Sequence, residues 1–292
     1  MTPETAYVTT ADGTRLAVHR RGAGPAVLCV PGGPGRASAY LQDLGGLDAA
    51  YTLQLLDNRG TGQSELPADR SSLAFFRLAD DVEVVRLALG LDRPVVLAHS
   101  AGCLVTMAWA AAHPSVASAL VFVTPPGRRT GDDMADIPAI RAARAGEPWY
   151  AEAAEAAELL ASGDLPNGVR RELERTERPF AYGRWDEVTQ AHAAGTESQM
   201  SLRAWAGFDP GPGYDYAPML DALAAVTARV LVVVGDRDGL TGAAIGSKVA
   251  GRFADARCVT IAGAGHYPWV DEPAAFATEV RAFLDTVREP AP

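Results

Sequence analysis

The chain is short of several features whose presence would have set its class at once. Its 292 residues include three cysteines, Cys29, Cys103 and Cys258, odd in number, far apart and set in apolar runs. They make no disulfide framework and read as buried thiols in a reducing compartment. Lysine is nearly missing: Lys248 stands alone among 26 cations, which face 36 acidic residues for a net charge of −10. An acidic surface with no basic stripe repels phosphate backbones, so no nucleic-acid partner is expected. The lysine shortage, with abundant alanine and glycine, suggests a GC-rich bacterial genome and says nothing of function. No apolar run reaches the roughly 18 residues of a membrane span, and no membrane partner is expected. The opening MTPETAYVTTADGTR lacks a basic segment followed by an apolar one, so no signal peptide and a cytoplasmic location are expected. No His/Cys/Asp/Glu cluster has metal-ligand spacing, and neither metal nor cofactor is expected.

What is present is an alternation of short apolar runs with helical stretches. Residues Ala6–Thr9 and Arg15–Arg20 flank the turn Ala11-Asp12-Gly13, a hairpin signal. Continuous apolar runs at Ala26–Val30, Thr52–Leu56, Pro94–Ala98, Ala119–Val123 and Arg229–Val234, with a weaker one at Arg257–Ile261, read as strands buried on both faces. Leu73–Leu89 carries Phe76, Leu78, Val82, Val85 and Leu89 near a 3.6-residue period. Leu104–Ala112 and Phe276–Val287 are also helical in character. Strand–helix alternation predicts a mostly parallel sheet covered by helices, an α/β fold. It breaks between about Arg128 and Met219, where an Ala/Glu-rich helix (Ala151–Ala161) and the loop GFDPGPGYDY lie without a strand-like run. This predicts a helical cap, residues 128–216, inserted after the sixth strand into a core of residues 1–127 and 217–292. Trp149, Trp185, Trp205 and Phe208 are expected to form the inside of that cap.

The most informative string is Val95-Val-Leu-Ala-His-Ser-Ala-Gly-Cys. A buried strand ends at Ala98 and a helix follows, so Ser100 occupies a sharp strand-to-helix turn, the setting of a nucleophile elbow. Such a turn needs tiny residues two before and two after the serine, here Ala98 and Gly102. A serine used for acyl transfer needs a histidine to take its proton and a carboxylate to orient that histidine. In the α/β-hydrolase family, whose nucleophile elbow this turn resembles, the order along the chain is serine, acid, histidine. Downstream, one strand runs into Gly235-Asp-Arg-Asp-Gly and the next into Ala262-Gly-Ala-Gly-His-Tyr-Pro, both at C-terminal strand ends where ligands sit in open sheets. His266 is therefore the base. His19 and His113 read as surface positions, His192 lies in the insertion, and His99 adjoins the serine but should point away from it. Asp238 and Asp236 compete as the acid; Asp238, further beyond the strand, is better placed to turn back. The side-chain-free loop Pro31-Gly-Gly-Pro-Gly-Arg supplies backbone donors for a developing oxyanion, assigned to Gly33 and Ala101. Asp57 and Arg59, after the second apolar run, are expected to pin their loop through a charge-assisted hydrogen bond.

With these pieces assembled, the chain resembles the α/β-hydrolase superfamily, in its proline-iminopeptidase-like branch, over about residues 5–288. The resemblance rests on PGGPG (31–35), DNRGTGQS (57–64), AHSAGC (98–103), GDRD (235–238) and GHYPWVDEP (265–273). Pro31, Asn58 and Ala98 depart from the branch's usual histidine, glutamine and glycine. The resemblance implies a Ser100–Asp238–His266 triad and cleavage of an N-terminal prolyl or related amino-acyl substrate by way of an acyl-enzyme. It also implies acidic cap residues that bind the substrate's free amine, one of them a glutamate after a tryptophan. Here Trp185 is followed by Asp186 and Glu187; Glu197 and Asp215 are further candidates, and Tyr267 lies beside the base. Two alternatives remain: a carboxylesterase, lactonase or thioesterase using the same triad, perhaps serving a biosynthetic pathway, and a non-catalytic ligand receptor. The expected partner is a small molecule or short peptide, and the chain a monomer or small homo-oligomer.

Overall fold

A computed structural model describes residues 4–127, 130–131, 134–163 and 165–287. Eight strands form one sheet: β1 (Glu4–Thr9), β2 (Arg15–Arg21), β3 (Ala26–Val30), β4 (Thr52–Leu56), β5 (Val95–His99), β6 (Ala119–Val123), β7 (Arg229–Gly235) and β8 (Ala256–Ile261). Their spatial order is β1-β2-β4-β3-β5-β6-β7-β8. The hairpin β1–β2 and the β2–β4 pair are antiparallel; every later pair is parallel. β8 is the far edge strand and only half covered, which is why its apolar run is the weakest.

Interior strands read as unbroken apolar runs because they are buried on both faces, with period-two alternation sending side chains to two cores. Val96, Ala98, Leu120, Phe122, Val230 and Val232 face α1 (Phe75–Ala88) and α2 (Ala101–Ala112). Leu97, Val121, Val123, Leu231 and Val233 face the C-terminal helix, Pro273–Val287, through Phe276, Val280, Phe283 and Leu284. Fully burying one such side chain contributes about 1.5–3 kcal/mol, so these two layers hold the strand ends in fixed relation.

Between β6 and β7 the chain forms only helices and turns among the described residues, apart from an isolated bridge between Arg36 and Met200. The helices are α3 (Ile137–Ala142), α4 (Tyr150–Ala161), α5 (Asn167–Glu177), α6 (Glu187–Ala194), α7 (Thr196–Gln199), α8 (Leu202–Gly207) and α9 (Ala217–Ala222). Trp149 packs edge-on against Phe180, as expected of an interior residue of that segment. Trp205 does not: it is 48% exposed. Phe208 turns back to the sheet domain, joining the aromatic group of Phe75, Tyr214 and Tyr216.

Two further expectations are corrected. Asp57 and Arg59 do not pair with each other. Asp57 accepts hydrogen bonds from Ser38 N and Oγ (2.7 Å each), Gln63 N (2.9 Å) and His19 Nε2 (2.9 Å), tying the loop after β4 to β2 and to the loop after β3. Arg59 instead holds Asp81 on α1 and Asp12 in the hairpin turn. His19 is thus an inward-facing member of this network rather than a surface residue. Among the described residues no helix is long and apolar enough to cross a membrane.

Candidate active site

The loops leaving β3, β5, β7 and β8 converge at the C-terminal edge of the sheet. Ser100 stands between β5 and α2 at φ 51°, ψ −124°, a left-handed conformation that costs a non-glycine residue about 1–3 kcal/mol and persists only where its surroundings enforce it. Ser100 N donates to Val123 O (2.9 Å) and Cys103 N donates to Ser100 O (2.8 Å), which enforces it. Gly102 is required by closeness: a Cβ there would lie 2.4 Å from Val30 O and 2.6 Å from Pro31 O. On the other side of the turn, a Cβ on Gly32 would meet the Ser100 Cβ at 2.9 Å. The glycine loop after β3 and the start of α2 are therefore in contact: the same Cβ on Gly32, the residue before Gly33, would lie 3.0 Å from Ala101 N.

Asp238 and His266 meet from successive loops. His266 Nδ1 lies 2.9 Å from Asp238 Oδ2, and Asp238 is fully buried. Burial alone would raise the Asp238 carboxyl. Burial is the largest single influence, but the His266 ring beside it and hydrogen bonds from His266, Thr241 Oγ1 (2.6 Å) and Thr241 N (3.0 Å) together exceed it and hold the group below its ordinary value. An ionised carboxylate only accepts, so the His266 Nδ1 that faces it carries a proton, and Nε2 is the ring nitrogen turned away from Asp238. Asp236, the rival acid, is exposed and accepts from Gly263 N (2.7 Å), a turn-forming role.

The imidazole is further held through its own backbone. His266 N donates to Ala181 O (2.7 Å), while His266 O accepts from Thr124 Oγ1 (3.1 Å) and His99 Nε2 (2.9 Å). Because His99 Nε2 donates, its Nδ1 accepts from Tyr40 Oη (2.7 Å), and Tyr40 accepts from Gly32 N (2.7 Å). One relay thus joins the glycine loop to the histidine loop through His99, which burial keeps neutral by driving its pKa well below the ordinary value. Asp271 adds a second tie: its Oδ2 accepts from Gly183 N (2.9 Å) and Gly265 N (2.8 Å). It is fully buried, and burial pushes its carboxyl from 3.8 to about 6 despite those bonds.

A cavity of about 160 Å³ opens here, lined by Gly33, Arg36, Tyr40, His99, Ser100, Leu240, Thr241, His266 and Tyr267. Ser100 and the two polar loops thus share one space with an unhindered backbone. Such a set can take up a carbonyl, supply a nucleophile with an adjacent base, and offer N–H groups to a developing oxyanion.

A profile of the alpha/beta hydrolase fold matches residues 25–273. The chain belongs to the α/β-hydrolase family. The sheet order, the flanking helices and the strained turn at Ser100 are those of an α/β-hydrolase fold, and the chain is similar to proline iminopeptidases. That of Heyndrickxia coagulans is 31% identical over 104 residues, 36% of this chain, and the chain spans 36% of that relative's length. Human 1-acylglycerol-3-phosphate O-acyltransferase ABHD5 is 28% identical over 273 residues, 88% of this chain and 75% of its own. Among solved structures, the proline iminopeptidase of Mycobacterium smegmatis superposes with a TM-score of 0.75 at 21% identity, covering 97% of this chain and 98% of that one. An esterase from Exiguobacterium antarcticum gives 0.72 at 16%, covering 97% and 100%. At such identities these two likenesses speak for the fold alone.

Within this α/β-hydrolase, neither the four acidic residues expected to bind an amine nor Trp185 is among the residues that line the cavity, whereas Tyr267, the substrate-binding candidate beside the base, is. Asp186 caps α6, accepting from Val188 N and Thr189 N (3.0 and 3.1 Å), and pairs with Arg184 (2.7 Å). Glu187 is exposed in the first turn of that helix. Glu197 is exposed and paired with Arg175 (2.7 Å); Asp215 is exposed and accepts from Ala217 N (2.9 Å). Trp185 packs on Tyr182. Conversely, the cavity's Arg36, Tyr40, His99, Leu240 and Thr241 were not among the expected site residues. Arg36 ends the glycine-rich loop, and a charge at the C-terminal end of a buried strand was the available signal.

Proposed function

We propose that this chain is a serine hydrolase that cleaves short-chain esters through an acyl-enzyme. Ser100 is the nucleophile, His266 the general base, Asp238 its orienting partner, and the N–H groups of Gly33 and Ala101 the oxyanion donors. The Ser100 Oγ forms a bond to the substrate carbonyl carbon as its proton passes to His266 Nε2. The bond to the leaving oxygen then breaks, and His266 returns the proton to that oxygen. Water repeats the sequence on the acyl-enzyme, giving its proton to His266 and releasing the acid. Residues 128–216 act as a cap over this site and the remainder as the core, a reading supported by Ala181 O and the cap's hold on the histidine loop.

The observation that carries this reading is the Asp238–His266 pair at 2.9 Å, with His266 lining the same cavity as Ser100 at its strained turn. An amide with a free N-terminal amine is the second reading, supported by the motif resemblance and the local identity to a proline iminopeptidase. The cavity favours the ester: among the described residues no carboxylate lines it, and the four acidic candidates are engaged or exposed elsewhere. The test compares kcat/KM for a 4-nitrophenyl butyrate, a prolyl aryl-amide and its N-acetylated twin, with Ser100→Ala as blank. Ester turnover that disappears in Ser100→Ala is expected. Strong turnover of the free-amine amide alone overturns the ester assignment, and full activity of Ser100→Ala overturns the mechanism.

A further inference from the structure

Arg36 is among the largest fully buried side chains of the protein, at 2% exposure, and it lines the cavity with Ser100 and His266. A buried guanidinium is ordinarily paired with a carboxylate, because desolvating an uncompensated charge is costly. Here no carboxylate lies within ion-pair distance among the described residues. Its partners are all neutral: Nε donates to Gln199 Oε1 (2.9 Å), Nη1 to Tyr267 Oη (3.3 Å) and Nη2 to His192 O (3.4 Å). The last two are long, and part of the donor fork is left over. The guanidinium stacks over Tyr40 at 4.4 Å, which fixes its plane without neutralising its charge. The two histidines nearest the arrangement, His99 and His192, are both kept neutral, chiefly by burial and in part by the Arg36 charge itself. The pocket therefore presents a permanent, rigidly held positive charge beside the proposed nucleophile, and a substrate ammonium placed there would be repelled.

We infer that Arg36 is the anchor for a carboxylate on the substrate, close to the scissile carbonyl, so that the preferred substrates are half-esters of short dicarboxylic acids or esters with an equally close carboxylate on the leaving group. This rests on the serine-hydrolase reading above and names its substrate class. A planar guanidinium with unused N–H groups takes a carboxylate in two parallel charge-assisted hydrogen bonds. The size agrees: a cavity near 150 Å³ admits a molecule about the size of benzene, and a succinyl group is of that order. The loop that carries Arg36 is held from both sides, since Ser38 binds Asp57 and Ala37 N donates to Gln199 O (2.9 Å). The guanidinium is thus held between Gln199 and Tyr267, and Tyr267 lines the cavity together with Arg36.

The experiment measures kcat/KM for three matched acyl esters of 4-nitrophenol: the hemisuccinate, the neutral butyrate and the cationic 4-aminobutyrate. A second pair, 4-carboxyphenyl butyrate and phenyl butyrate, moves the carboxylate to the leaving group. In the native chain a carboxylate ester is expected to exceed its neutral twin by about 10- to 100-fold, the worth of one charge-assisted contact. In Arg36→Gln that ratio should collapse to within about threefold, and Arg36→Lys should restore part of it, because Lys keeps the charge but not the fork. The ratio is the readout, so a general loss of activity in the variant does not obscure it. Equal rates for charged and neutral esters in both pairs, or a preference for the aminobutyrate, overturn the inference. If the native chain turns over none of these esters, glutarate binding decides it, read as a rise in Tm. A rise abolished by Arg36→Gln supports the anchor; no rise overturns it. Labelling of Ser100 by a fluorophosphonate is scored separately, so a failed anchor and a failed nucleophile are told apart.

Discussion

Asp271 gives a prediction whose size follows from the structure. It is fully buried, accepts two backbone N–H groups through Oδ2, and has no partner for Oδ1. Burial outweighs the two hydrogen bonds and carries its pKa from 3.8 to about 6. A difference of about two units is worth about 3 kcal/mol at 1.36 kcal/mol per unit. The sign follows from proton counting. Below pH 4 both folded and unfolded chains hold the proton, and nothing is lost. Between about 4 and 6 the folded chain holds a proton that the unfolded chain has released, so stability falls as pH rises; above 6 both are ionised and the full deficit remains.

Asp271→Asn removes the ionisation while keeping one oxygen for Gly183 N and Gly265 N. Its NH2 takes the position of the unpartnered Oδ1, a penalty of about 1–3 kcal/mol that does not vary with pH. The Tm difference, variant minus native, should therefore rise between pH 4.5 and 7.5 by several degrees, at roughly 2–4 °C per kcal/mol for a chain of this size. Differential scanning calorimetry across that range reads it directly. A flat difference, or one that falls with pH, would refute the claim that Asp271 is held up by burial.

Two further substitutions probe the site itself. Asp238→Asn must keep its oxygen toward Leu240 N and Thr241 N, which presents NH2 to His266 Nδ1 and forces the proton onto Nε2; kcat should fall by about 10²–10⁴ with KM little changed, and a variant retaining native kcat would remove Asp238 from the mechanism. Gly102→Ala puts a methyl 2.4 Å from Val30 O, a backbone atom that cannot give way cheaply, so a loss of about 1–3 kcal/mol in urea unfolding is expected, and unchanged stability would contradict the close approach of α2 to the glycine loop.

The strands were legible because burial on both faces leaves a continuous apolar run, a signal carried by neighbours in sequence. β8 was the weakest because an edge strand has only one partner and one covered face. The candidate serine, acid and histidine were legible for a similar reason: each sits in a short string at a strand end, and their order along the chain is itself information. Asp186 shows where such reasoning strays. Trp185-Asp186-Glu187 resembles an amine-binding signature, yet Asp186 and Thr189 form a capping box, a purely local device for starting α6. Tyr40 and His99, 59 residues apart, leave no local trace at all, because their relay exists only once the loops after β3 and β5 are packed together.

Arg36 combines both lessons. In sequence its loop stands out for its glycines, the residues that let a backbone approach Ser100, and nothing local marks the arginine that closes the loop. Its meaning depends on a setting that no sequence pattern records: among the described residues its guanidinium has Gln199, Tyr267 and a carbonyl for company, and no acid. A buried cation left in that state lowers stability compared with an apolar side chain of similar volume. Packing therefore gives no reason for it, and pairing among the described residues does not either. What would relieve it is an anion arriving in the cavity, and a ligand that binds only the folded chain stabilises it in proportion to the logarithm of its concentration over Kd. If Arg36 is such an anchor, the same electrostatics favour a carboxylate in the cavity and disfavour an ammonium, whose charge would repel the guanidinium. On the proposed reading, the choice between an acid-bearing ester and an N-terminal amine turns less on the three residues proposed to do the chemistry than on the one charge beside them.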